Sequence, residues 1–184
     1  MATMILLPDA DGTVSFHWVL VGSGLSDRWE ALVDDNGDTS YVQCDNDSAA
    51  MIIEFANPDD VTSANSGVAE AEIDTITSVR FISSGRSANR RNAALVDIEY
   101  QVPSGFSESC SYDPHVSSHE TINGTARTGK PGGCLWQYSD LEALEMKCTK
   151  DGTNEVYLGY LAIEVTYTEV GAVADNATFF GANF

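Results

Sequence analysis

The chain has 184 residues with 9 Lys or Arg against 28 Asp or Glu, a net charge of −19 at pH 7. A chain of this length forms one domain by default and can bury a full hydrophobic core without metals or disulfides. So acidic a surface repels nucleic acid, and no run of about 18 apolar residues is present to span a membrane as a helix, so neither partner is expected.

Residues 1–8, beginning Met1-Ala2-Thr3-Met4, have no basic segment and only a short apolar stretch, which predicts no secretory leader. Asp9-Ala10-Asp11-Gly12 resembles part of an oxygen-ligand calcium loop, as does Asp34-Asp35-Asn36-Gly37-Asp38. Both lack the full spacing and terminal Glu of such a loop, and ordinary turn chemistry accounts for them. Strands are expected at 29–33 and 39–44, with 34–38 as their hairpin turn.

Alternation then becomes clear. Met51, Ile53 and Phe55 alternate with Ile52 and Glu54, and Val96, Ile98, Tyr100 and Val102 alternate with Asp97, Glu99 and Gln101. Such a pattern puts one face of a strand in a core and the other in water. A strand is expected at 73–83, ended by a turn at Ser84-Gly85-Arg86. The segment 84–91 then holds the basic cluster Arg86, Arg90 and Arg91. In so acidic a chain it reads either as a docking patch for an acidic neighbour or as solvated arginines in a loop.

Residues 104–133, rich in Ser, Gly, Thr and Asn, are expected to be a long loop excursion from the sheets. They hold Cys110, and Cys134 follows them directly. A Cys110–Cys134 disulfide closing this excursion is preferred to a zinc site made with His115 and His119, because the spacing matches no known finger. Cys44 and Cys148 sit at strand ends and read as small buried hydrophobes. Trp136 follows a Pro-Gly-Gly turn and reads either as a core residue or as the candidate glycan-stacking ring. Trp18 belongs to the same set, and Trp29 is assigned to the core.

A short helical turn is expected within 139–144, followed by strands at 144–148 and 155–167. In the last of these Tyr157, Leu161, Ile163, Val165 and Tyr167 share one parity, and Val156, Leu158 and Tyr160 share the other. The tail 171–184 carries Phe179, Phe180 and Phe184 and is expected to dock on its own sheet or on a neighbour. Sequons at Asn46, Asn123 and Asn176 read as chance. The whole predicts an all-β fold, an antiparallel β-sandwich of jelly-roll-like type. It comprises one domain over 1–170, the loop excursion, and a C-terminal extension over 171–184.

Nothing in the sequence has the form of a catalytic motif. There is no G-x-S-x-G, H-E-x-x-H or phosphate loop, so no enzyme activity, catalytic residue, metal or cofactor is expected. The order of several features resembles the β-sandwich virion proteins of tailed bacteriophages. These are LPDADGT at 7–13, Trp29, Tyr41-Val42, ITSVR at 76–80, WQYSDLEAL at 136–144 and Val165-Thr166-Tyr167. That resemblance implies a capsid decoration or cement protein, found in the virion after synthesis in the host cytoplasm. It would form a homo-oligomer and bind the major capsid protein or other virion proteins. Arg86, Arg90, Arg91, Phe179, Phe180 and Phe184 are then candidate interface residues. A carbohydrate-binding module of a tail or fibre, with Trp136 on the glycan, is the alternative, and a self-assembling filament or tail-tube subunit is another.

Overall fold

The computed structural model describes residues 1–33, 39–60, 67–89, 91–114 and 118–171. Among the described residues eleven strands run in the order β1 (Ala2–Leu6), β2 (Pro8–Val14), β3 (Val19–Val21), β4 (Tyr41–Cys44), β5 (Ala50–Phe55), β6 (Ile73–Ser87), β7 (Ala94–Val102), β8 (Ser104–Tyr112), β9 (Glu120–Asn123), β10 (Glu145–Asp151) and β11 (Val156–Glu169). A single α-helical turn among the described residues, α1 (Tyr138–Leu141), precedes β10. Sheet A has the order β3-β4-β11-β6-β9, with β1 also paired to β11, and sheet B has the order β2-β5-β10-β7-β8. Every pairing between these strands is antiparallel. The fold is an all-β antiparallel sandwich.

The core between the sheets is the sum of the alternations. Met51, Ile53 and Phe55 of β5, Val96, Ile98 and Tyr100 of β7, and Met146 and Cys148 of β10 meet Val79 and Phe81 of β6 and Leu161, Ile163 and Val165 of β11 in one buried cluster. Leu7 joins β1 in sheet A to β2 in sheet B, so the N-terminal ribbon spans both layers. Pro8 opens β2, an edge strand, where its missing N–H leaves no central ladder position unpaired.

Several expectations are corrected. Residues 29–31 form a 3-10 turn, not a strand, because both carboxylate oxygens of Asp11 accept backbone N–H groups there. Arg28 donates at 3.0 Å and Trp29 at 2.8 Å. The same bonds occupy the Asp11 oxygens that a calcium reading of 9–12 would use. The strand expected over 73–83 runs on to Ser87, straight through the presumed turn at 84–86, because Gly85 and Arg86 pair with Leu158 and Tyr157 of β11. The excursion over 104–133 contains β8, which pairs along β7, and β9, which pairs with β6. The hairpin assigned to 34–38 and the tail beyond Gly171 lie outside the described residues. No helix of the described residues is long and apolar enough to cross a membrane.

Candidate functional site

Alternation in β4 sends Val42 and Cys44 into the core and leaves Tyr41 and Gln43 half-buried on the outer face of sheet A. In β11, Val156 and Leu158 point inward, so Tyr157 points outward beside them. A register shift between Leu158 and Tyr160 then exchanges the parities. Leu161, Ile163 and Val165 become the inward set, and Tyr160 shares the outer face with Tyr157. Gly159, between the two, is the residue at which the strand absorbs this bulge.

The cross-strand registers assemble these positions into a row. Val19 of β3 lies opposite Gln43 of β4, Gln43 opposite Tyr157 of β11, and Tyr157 opposite Arg86 of β6. Tyr41 and Tyr157 have ring centroids 4.8 Å apart at an interplanar angle of 41°. The Arg86 guanidinium carbon lies 4.9 Å from the Tyr157 centroid and 6.0 Å from that of Tyr41. Three centres at these separations form a compact triangle, with the cation seated over the angle between two rings, an arrangement that the ring quadrupoles favour. Partial burial holds the Tyr157 hydroxyl above its ordinary pKa, assisted by Glu155, whose carboxylate accepts its hydrogen bond at 3.4 Å, and by Tyr41. Further along the same face, Arg80 pairs with Glu164 at 2.7 Å.

Sheet B presents a different outer surface. Lys147 reaches Glu99 at 3.4 Å, Ser109 donates to Asp97, and Glu54 and Glu145 lie opposite one another. Its aromatic residues Phe55, Tyr100 and Tyr112 are buried inward, and Phe106 packs on the core. The outward aromatic side chains of the strands thus gather on sheet A.

The residues singled out from sequence fare unevenly. Trp136 is only 4% exposed; its indole N–H donates to the Arg127 carbonyl at 2.8 Å and its ring lies 6.2 Å from Tyr100. It is therefore a core residue and not an open glycan platform. Trp18 is fully buried and donates to the Ala49 carbonyl at 3.1 Å. The expected Cys110–Cys134 bridge is not formed, and all four cysteines are free. Cys110 faces inward from β8, where burial pushes its thiol up to about 11, while Cys134 stands exposed on a loop after Gly132 and Gly133. One thiol faces the interior and the other faces water. Cys44 and Cys148 are buried as expected.

Arg86 belongs to the tyrosine cluster, whereas Arg91 is exposed and donates its backbone N–H to Asn89 Oδ1 at 2.9 Å. Arg90, His115, Phe179, Phe180 and Phe184 lie outside the described residues. Among the described residues no group of three or more His, Cys, Asp or Glu is placed to hold a metal ion. Sequence reasoning missed Tyr41 and Tyr157. The signal for Tyr41 was present in the alternation of β4, but that for Tyr157 was inverted by the bulge.

No family model matches the sequence, and no curated protein matches it. Among solved structures it is similar to a family 11 carbohydrate-binding module from Clostridium thermocellum in complex with a beta-1,3-1,4-mixed-linked tetrasaccharide. That match has 14% identity and a TM-score of 0.40, covering 91% of this chain and 98% of that one. It is also similar to the xylan-binding module CBM15, at 11% identity and a TM-score of 0.38 over 91% of this chain and 99% of that one. A family 29 carbohydrate-binding module gives 10% identity and a TM-score of 0.37 over 91% and 92%. Likeness of this degree assigns neither family nor ligand, and the site has to be read from its own residues.

Proposed function

We propose that this domain is a non-catalytic glycan-binding module whose ligand lies on the outer face of sheet A, over Tyr41, Tyr157 and Arg86. The observation that carries the reading is the clustering of half-buried tyrosines and a ring-held arginine on one sheet face, beside Gln43, while the opposite sheet shows water a charged and hydroxylic surface. Sugars offer apolar C–H faces to aromatic rings and hydroxyls to forked donors and amides, and this face supplies both. Binding of this kind requires no proton transfer and no metal.

The test is affinity electrophoresis and calorimetry against soluble mixed-linked β-glucan, xylan and mannan, followed by Tyr41→Ala and Tyr157→Ala. Each substitution is expected to weaken binding by about tenfold, the equivalent of roughly 1.4 kcal/mol. Wild-type protein that binds none of these polymers, or a Tyr157→Ala variant that binds as well as wild type, would overturn the reading.

A second reading, capsid decoration, is favoured by apolar side chains left open to water, namely Phe16 and Leu135, together with the exposed Arg91. Its measure is cosedimentation with capsids lacking the protein; failure to bind them removes this reading.

A further inference from the structure

Phe16 is 80% exposed, whereas among the described residues most of the other large aromatic rings are buried. It stacks on His17 with ring centroids 3.9 Å apart. The turn that carries it is pinned on both sides. Ser15 N–H donates to the Ala50 carbonyl of sheet B at 2.9 Å, and Trp18 N–H closes the turn on the Ser15 carbonyl at 3.0 Å. The Trp18 indole is buried and bonded to Ala49, and Arg28 Nε donates to the Trp18 carbonyl at 3.1 Å. Phe16 is therefore an exposed ring at the tip of a fixed turn, which lowers the entropy lost when a ligand packs on it.

This turn leads directly into Val19, which is 46% exposed and ends the row Arg86, Tyr157, Gln43, Val19. Residues 13–26 contain no Asp, Glu, Lys or Arg, although the chain carries −19 overall. This uncharged, partly apolar stretch runs from the Phe16 turn into β3, the edge strand that ends the row. From β6 to β3 are three interstrand steps, roughly 14 Å at about 4.8 Å each. Neither a monosaccharide nor a disaccharide spans that distance.

We infer that the glycan-binding face continues across the β3 edge to Phe16, an outlying contact that makes the site select long neutral chains over short oligosaccharides. This inference rests on the glycan-binding reading of the tyrosine face. Tyr41, Tyr157 and Arg86 hold the middle of the chain, Gln43 and Val19 lie under its path, and Phe16 packs on a unit beyond the rim. A long polymer gains this last contact and a disaccharide does not. The uncharged stretch and the acidic chain around it disfavour polyanionic glycans by repulsion.

The experiment is calorimetric titration of cello-, xylo- and manno-oligosaccharides, from disaccharide to hexasaccharide, into wild type, Phe16→Ala and Tyr157→Ala. Phe16 is exposed, so its truncation leaves the core intact. Phe16→Ala is expected to bind disaccharide and trisaccharide as wild type does and to lose about tenfold on the hexasaccharide. Tyr157→Ala is expected to lose affinity at every length. Phe16→Ala matching wild type at every length, or weakened equally at all lengths, overturns the outlying contact while leaving the tyrosine site standing. Undiminished binding by Tyr157→Ala, or no binding of any oligosaccharide by wild type, overturns both. Sedimentation analysis adds one further outcome: a wild-type dimer made monomeric by Phe16→Ala would assign the rim to a second copy of this chain and overturn the inference.

Discussion

Lys150 follows Met146 and Cys148 on the inward face of β10 and is fully buried. A charge at such a position persists only where its donors are met, and Nζ donates to the carbonyls of Gly152 at 2.5 Å and Asp151 at 3.3 Å. The ammonium thereby closes the β10–β11 turn from inside. Lys150→Met removes the donor and strands two carbonyls, so urea unfolding should show a loss of about 1–3 kcal/mol. Trp136 is a second case, in which an aromatic residue after a glycine turn reads as a surface ring but is placed inside. Trp136→Ala should cost about 3–5 kcal/mol in the same measurement, whereas Trp136→Phe should retain polysaccharide binding. Loss of binding in a fully folded Trp136→Phe variant would return the ligand to that side of the molecule.

The bulge in β11 is the local feature on which the candidate site depends. With uninterrupted period-2 alternation, Tyr157 would share the face of Leu161, Ile163 and Val165 and lie in the core, as sequence parity implies. The register shift after Leu158 separates them. Gly85 of β6 is part of the same arrangement. A Cβ there would lie 2.9 Å from the Tyr157 carbonyl oxygen, 2.9 Å from Leu158 Cδ2 and 3.0 Å from Tyr112 Cε1. Contacts that close force the two central strands of sheet A apart, where both are packed on both sides. Gly85→Ala should therefore lower the thermal midpoint by the equivalent of about 1–3 kcal/mol, and it should weaken glycan binding by displacing Tyr157. A variant of unchanged stability and unchanged affinity would show that this spacing is not needed.

On the scale of the whole molecule, the sandwich buries several groups that ionise only in alkali. Burial pushes Cys110 up to about 11 and Tyr138 up to about 12, and it raises Cys148 and Tyr112 further. In each, the unfolded chain releases its proton first, so the contribution to stability is intact below the unfolded value, near 9.0 for the thiols and 10.0 for the phenols. It is lost progressively as pH rises toward the folded values. Stability followed by urea unfolding should thus be level from neutral pH to about 9 and fall steadily between about 9 and 12. A plateau across that range would mean that these groups are not shielded in the folded state.

From the amino-acid order one reads the all-β class, the central strands β5, β7 and most of β6, β10 and β11, and the burial of Cys44 and Cys148. All of these follow from side-chain alternation, which needs only the chain's own period to be read. It did not reveal β1, β2, β3, β8 or β9. β2 and β8 are rich in Asp, Gly and Ser, which suggests loops, while β1, β3 and β9 are only three to five residues long and show too little alternation to read; all become strands because a neighbouring strand supplies hydrogen bonds. The candidate site could be seen only once the strands were paired. Whether Tyr157 faced water depended on a one-residue bulge, whether Arg86 met it depended on β6 continuing past Gly85, and whether Trp136 was open depended on the carbonyl of Arg127. The first two rest on the pairing of β6 with β11, strands distant in sequence, where one residue of register reverses which face a side chain occupies; the third rests on the path of the loop between Arg127 and Trp136.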